Sequence, residues 1–194
     1  MTLQKTLATV LAGSLALALS PAAVVAKGFN YSYADVGYQF TDGDHGIDVR
    51  SGRVDASFGI FKYMALRAGF LRGNTDDIPG DNQDRTEFRF GGQLHYPVMK
   101  KLDVFGEVLA LNSYINSNSS TNVDTGPIYA AGVRFQALKK LELDAGYKYV
   151  AADVDNDFGT VGAVFKFTRA FSATANASFG GDINEYFGGI RLNF

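Results

Sequence analysis

The sequence predicts an all-β fold: an antiparallel up-and-down β-barrel of ten strands, eight being the alternative, with its apolar side turned to a bilayer. Three observations predict it. The N-terminus carries an export signal, apolar and polar residues alternate with a period of two down to the last residue, and short basic connections alternate with longer acidic ones.

Composition narrows the chemistry. The 194 residues include 22 Gly, 4 Pro and no Cys, which excludes a disulfide framework, a thiolate metal site and a cysteine nucleophile. A net charge of −2 offers no field for nucleic acid, so none is expected as a partner. A mean hydropathy of −0.03 matches a water-soluble protein only because the two faces of each strand cancel.

At the start, Lys5 precedes the apolar run Leu7 to Leu19, followed by Ser20-Pro21 and the small residues Ala22 to Ala26. This is the order of a secretory signal peptide cleaved before Lys27, so residues 1–26 are expected to be removed and 27–194 to form one domain. An N-terminal anchor is the competing reading, but the run is shorter than the ~20 residues of a spanning helix.

Ten segments alternate, over 33–40, 47–60, 64–71, 86–96, 102–111, 127–137, 141–150, 158–167, 171–179 and 184–194. In the first, Ala34, Val36, Tyr38 and Phe40 oppose Asp35, Gly37 and Gln39. In the second, Asp48 and Arg50 share parity with the apolar Val54, Ala56, Phe58 and Ile60, which calls for a bulge or a strand rising above the membrane. The fourth is clearest, with Phe88, Phe90, Gly92, Leu94 and Tyr96 against Glu87, Arg89, Gly91, Gln93 and His95. The seventh sets Leu141, Leu143, Ala145, Tyr147 and Tyr149 against Glu142, Asp144, Gly146 and Lys148. In the tenth, Tyr186, Gly188, Ile190, Leu192 and Phe194 oppose Glu185, Gly189, Arg191 and Asn193, with Phe187 out of pattern.

Periodicity does not say which face is inside. Charge does more: the central positions of the apolar faces hold no ion, whereas the polar faces hold the acids Asp35, Asp55, Glu87, Asp103, Glu107, Glu142, Asp144 and Glu185 and the bases Arg53, Arg67, Arg89, Arg134, Lys148, Lys166 and Arg191. Near-balance of the two signs is what a narrow lumen demands, because an unpaired enclosed ion is costly. With Gln39, Gln93, Gln136, Asn176 and Asn193 inside as well, the lumen is expected to be largely filled.

The connections sort by length and charge. Phe61 to Tyr63, Pro97 to Lys101, Leu138 to Lys140 and Thr168 to Ala170 are short; Thr41 to Gly46, Arg72 to Arg85, Asn112 to Gly126, Ala151 to Asp157 and Gly180 to Ile183 are the others. The short set is basic and free of acids, and Met99-Lys100-Lys101-Leu102-Asp103-Val104 repeats loosely as Leu138-Lys139-Lys140-Leu141-Glu142-Leu143, one hairpin being the unit. The other set is rich in Asp and includes Arg72 and Arg85. Short periplasmic turns and longer external loops are the habit of outer-membrane barrels.

The opening Tyr31-Ser32-Tyr33-Ala34-Asp35-Val36-Gly37-Tyr38 and the closing Tyr186-Phe187-Gly188-Gly189-Ile190-Arg191-Leu192-Asn193-Phe194 resemble the small outer-membrane β-barrel proteins of Gram-negative bacteria, the opacity-protein and OmpX-like group. The resemblance covers residues 27–194 and implies location in the outer membrane, with its lipids and lipopolysaccharide as neighbours. It also implies that Tyr186, Ile190, Leu192 and Phe194 form the terminal signal read by the barrel-assembly machinery. The best-known relatives have eight strands, and this chain has no Trp, which leaves Tyr31, Tyr33, Tyr63, Tyr96, Tyr129, Tyr147 and Tyr149 for the interfacial belts.

Catalytic chemistry is sparse. Of the two histidines, His45 sits in the first loop near Asp42 and Asp44, where an Asp/His pair resembles that of ten-stranded outer-membrane proteases, but a solvated turn residue fits better. His95 is expected in the lumen near the periplasmic end, hydrogen-bonded to a Glu or Gln. No Ser/His cluster suits a lipid-modifying hydrolase, and Asn118-Ser119-Ser120 reads as polar filler. Asp76, Asp77, Asp81 and Asp84 in the second loop and Asp153, Asp155 and Asp157 in the fourth offer oxygens to Ca2+ or Mg2+, alone or shared with lipopolysaccharide phosphates, without the Gly and distant Glu of an EF-hand. No other cofactor is expected. A non-enzymatic structural or surface-interaction role is expected first, a narrow channel second and an enzyme last.

Overall fold

The computed structural model describes residues 29–43, 47–75, 83–116, 121–152 and 155–194. The signal segment, His45 and the tips of the longer loops lie outside them. The ten strands are β1 (Tyr33–Gly43), β2 (Ile47–Phe61), β3 (Met64–Thr75), β4 (Gln83–Met99), β5 (Leu102–Asn116), β6 (Thr121–Leu138), β7 (Leu141–Val150), β8 (Asn156–Lys166), β9 (Phe171–Gly180) and β10 (Ile183–Asn193). Each pairs antiparallel with its sequence neighbour, and β1 pairs with β10 from Tyr33↔Asn193 to Gly43↔Ile183, which closes the sheet. Ten strands, not eight, form the barrel, and closure leaves no sheet edge for hydrocarbon to meet.

The strands are longer than the hydropathy pattern predicts. β3 and β4 stay paired to Thr75↔Gln83, and β5 and β6 to Asn116↔Thr121, so much of the expected second and third loops is ladder. At the other end β4 runs to Met99, with a register shift at Pro97, where a turn was expected. The pattern ends early because the polar residues above the bilayer face water on the outside, so alternation fades while pairing continues. β2 resolves the same way. Its register runs unbroken from Val49↔Thr75 to Gly59↔Ala65, so no bulge separates Arg50 from Val54; the exposed Arg50 lies where the strand rises beyond the apolar band, between Phe40 and Asn74.

The even-numbered residues of β1, β2 and β4 face outward and are exposed or half-buried, Phe90 and Leu94 each exposed by 62%. Aromatic pairs mark the two rims: Tyr63 with Tyr96 (5.5 Å between ring centres) and Phe165 with Phe167 (5.3 Å) beside the turns, and Phe70 with Phe88 (5.0 Å) and Phe179 with Tyr186 (6.0 Å) toward the loops. Phenylalanine thus shares the belts with tyrosine. Tyr31 and Tyr33 do not join them: both are buried inside the barrel, Tyr33 because it shares parity with Asp35.

Phe187, the residue out of pattern in the last strand, turns inward and is buried. Its ring lies over Gly37 and Gly189, which face each other across the β1–β10 seam; a Cβ on Gly37 would come within 2.8 Å of that ring and 2.2 Å of the Gly188 carbonyl oxygen. The large side chain fills the space that the two glycines leave.

Candidate functional site in the barrel lumen

The lumen is cross-braced by ions. Asp35 and Arg191 are opposite residues on β1 and β10 and form a two-bonded pair, both contacts at 2.8 Å. Arg53 binds Asp55 at 2.5 Å and donates to Gln39 at 2.9 Å. Arg89 reaches Asp55 at 3.5 Å and Glu87 at 3.3 Å, and Arg85 reaches Glu87 at 2.7 Å. Gly69 stands between Asp55 and Arg89 in the register and makes the first of these possible, since a Cβ there would meet the Asp55 carboxylate at 2.7 Å. Arg67 binds Glu107 at 2.9 Å, Lys148 crosses from β7 to Glu185 on β10 at 2.5 Å, and Lys166 pairs with Glu142.

Two ions are placed differently. Arg134 and Asp144 are opposite residues on β6 and β7, but neither has an oppositely charged group within 4 Å among the described residues. Arg134 instead lies over the rings of Tyr31 (4.9 Å) and Phe29 (5.7 Å) and donates to the Asn30 carbonyl at 3.3 Å. Arg85, expected from the sequence in the second loop, belongs inside because β4 continues past its position.

The segment before β1 lies inside the barrel near its turn-side end. Phe29, Tyr31 and Ser32 are buried, and Phe29 and Tyr31 pack on the inward Ala65. Tyr31 stacks on His95 at 3.5 Å and 12°, donates its hydroxyl to Asp103 at 3.0 Å and accepts at its carbonyl from Ser57 Oγ at 2.7 Å. His95 therefore meets an aromatic ring, not the expected Glu or Gln; its Nδ1 stands 3.9 Å from Asp103, beyond hydrogen-bond range. A four-residue segment ahead of the first strand has no period to read, so this inward packing leaves no signal in the sequence pattern.

The lumen is also lopsided. β9 contributes no ion, and its Asn176 and Ser178 line, with Ala130 of β6, Thr160 of β8 and ions from β1 to β7 and β10, a central cavity of about 180 Å³. Above it a cavity of about 90 Å³ is walled partly by Leu111, Ile128, Val150 and Phe158. Leu109, Leu111 and Ile128 cluster there on strand positions that share parity with Asp103 and Arg134, so the interior is not uniformly ionic.

Of the acidic residues proposed for cations, the three described ones, Asp84, Asp155 and Asp157, have partners other than one another. Asp84 contacts Arg72 at 3.7 Å on the outer surface, and Asp157 and Asp155 are hydrogen-bonded by the hydroxyls of Tyr147 and Tyr149. Among the described residues no group of three acidic or histidine side chains could hold a metal ion. Asp76, Asp77, Asp81 and Asp153 lie outside the described residues. At the C-terminal end, Tyr186 and Ile190 are exposed on the outer face, while Leu192 and Phe194 are half-buried beside the closing seam.

The profile of the outer membrane protein β-barrel domain matches residues 9–167, most of the chain. This protein belongs to the outer membrane protein β-barrel family. Its place is therefore the outer membrane of a Gram-negative bacterium, with the short turns on the periplasmic side and the loops outside. Among solved structures, this family member is similar to the NanC porin at 9% identity and a TM-score of 0.52, over 83% of this chain and all (100%) of that one. The translocator domain of the autotransporter NalP from Neisseria meningitidis matches at 12% identity and a TM-score of 0.51, over 98% of this chain and 96% of that one. The attachment invasion locus protein Ail of Yersinia pestis matches at 12% identity and 0.47, over 84% and 95%. At such identities the likeness is one of fold alone. No curated protein is significantly similar in sequence.

Proposed function

We propose that this family member is a non-enzymatic, closed barrel that acts through its loops and outer surface and does not pass solutes through its lumen. One observation carries this reading: the periplasmic mouth is occupied by Phe29, Tyr31 and Arg134, beneath a lumen laced with ion pairs. In such a barrel the parts free to meet other molecules are the outward-facing strand ends and the acidic loops. Those loops are read as binding Ca2+ or Mg2+ shared with lipopolysaccharide phosphates. The chain reaches its place by cleavage after residue 26 and by recognition of Tyr186, Ile190, Leu192 and Phe194 by the barrel-assembly machinery.

A narrow channel is the second reading, favoured by the 180 Å³ cavity and its polar lining. Planar-bilayer recording of the refolded mature protein separates the two. Absence of steady current supports the closed barrel, and discrete, reproducible conductance steps overturn it in favour of the channel.

A further inference from the structure

We propose that the outer face of β4, β5 and β6 holds one anionic phospholipid of the periplasmic leaflet, its acyl chain in an apolar groove and its phosphate on lysines of the turns below. The groove consists of two adjoining depressions of about 330 and 420 Å³ that share Leu94 and Gly106. Tyr63 and Tyr96 flank its lower end, Tyr129 and Tyr147 its upper end, and Gly92, Gly106 and Ala131 form its floor. Leu94, Gly106, Ala131 and Tyr147 are consecutive partners across β4 to β7, so small residues on the two middle strands sink the floor between taller neighbours. From Gly92 to Tyr96 the groove follows β4 for roughly 13 Å, reaching from the aromatic rim toward the middle of the bilayer.

Internal packing does not force those small residues. A Cβ on Gly106 would meet nothing nearer than 4.0 Å, and one on Gly92 nothing nearer than 3.7 Å. The depression is a property of the lipid-facing side.

The charge lies at the groove's lower end. Lys100 and Lys101 form the turn between β4 and β5, directly below it, and Lys62, Lys139 and Lys140 occupy the turns on either side. All five are exposed, and none forms a salt bridge among the described residues. The Lys62 ammonium lies 4.9 Å from the ring centre of Tyr63, which packs against Tyr96. Cations beside an aromatic rim at the membrane surface suit a lipid phosphate. A second copy of the barrel suits the face poorly, because a two-fold contact would bring the same five lysines against themselves.

The test is native mass spectrometry of the refolded mature barrel in dodecyl maltoside with palmitoyl-oleoyl phosphatidylglycerol or the matching phosphatidylethanolamine. One phosphatidylglycerol should bind with a preference of roughly fivefold to thirtyfold, the scale of one or two lysine contacts. Lys62→Gln/Lys100→Gln/Lys101→Gln should reduce it to the phosphatidylethanolamine level, and Gly106→Leu should lower retention of both lipids. Heat-dependent gel migration identifies folded variants, and Ala131→Phe fills the groove independently if Gly106→Leu does not fold. Equal retention of the two lipids by the parent, unchanged phosphatidylglycerol binding in the lysine or the groove variants, or lipid-free dimers would each overturn the proposal.

Discussion

Asp35 and Arg191 face each other across the β1–β10 seam and hold it with two parallel charge-assisted hydrogen bonds of 2.8 Å, while the same guanidinium lies 3.6 Å from the ring centre of Tyr33. The seam joins the first and last strands and is the contact of greatest sequence separation in the barrel. Removing either partner strands the other charge in an enclosed space. Arg191→Ala or Asp35→Ala should each cost about 3 to 5 kcal/mol, read from the urea midpoint of the folded barrel in micelles. The paired change Asp35→Leu/Arg191→Met should cost less than either single one; a double variant as unstable as the sum would refute the pairing.

Next to that seam, Phe187 roofs Gly37 and Gly189. Phe187→Ala should destabilise the barrel by about 3 to 5 kcal/mol, as loss of a buried aromatic ring does. Gly37→Ala should be comparably harmful, because its Cβ would collide with backbone. Gly188→Ala, whose Cβ would meet nothing within 4 Å, should leave the urea midpoint nearly unchanged. Equal effects at Gly37 and Gly188 would refute the fitted contact.

Tyr31 and Phe29 are positioned to seal the periplasmic mouth. If they do, Phe29→Ala/Tyr31→Ala should turn an electrically silent barrel into one with measurable single-channel current, while Tyr31→Phe, which keeps the stack on His95 and loses only the bond to Asp103, should remain silent. Current in the parent, or silence in the double variant, would show that the seal lies elsewhere.

For the loops, added Ca2+ should protect the second and fourth connections from protease in lipopolysaccharide-containing membranes, and chelation should abolish the protection. Unaltered digestion would remove the cation bridge. Asp155→Asn/Asp157→Asn should weaken protection if the Tyr149 and Tyr147 hydrogen bonds give way to metal.

The strand count, the seam and the direction of the ions were legible because one face of each strand meets hydrocarbon, and a single parity error would put charge there. What stayed hidden lay where that contrast vanishes. Above the bilayer both faces are polar, so the pairing of Arg85 and the ends of β5 and β6 left no trace in hydropathy. Inside, Leu109, Leu111 and Ile128 are apolar on the ionic side and look like noise in a period-two pattern. Tyr31 precedes the first strand, and its stack on His95 joins residues too far apart in sequence for any spacing rule.

The final residue also contributes to closure: the Phe194 amide donates to the Ser32 carbonyl at 3.2 Å, beside the last paired positions of β1 and β10. A truncated translation product lacking β10 would keep the other strand pairings yet present two raw flanks to lipid. The β1–β10 contact is thus the latch of the whole wall, since without it two unsatisfied backbone rows would stand in hydrocarbon.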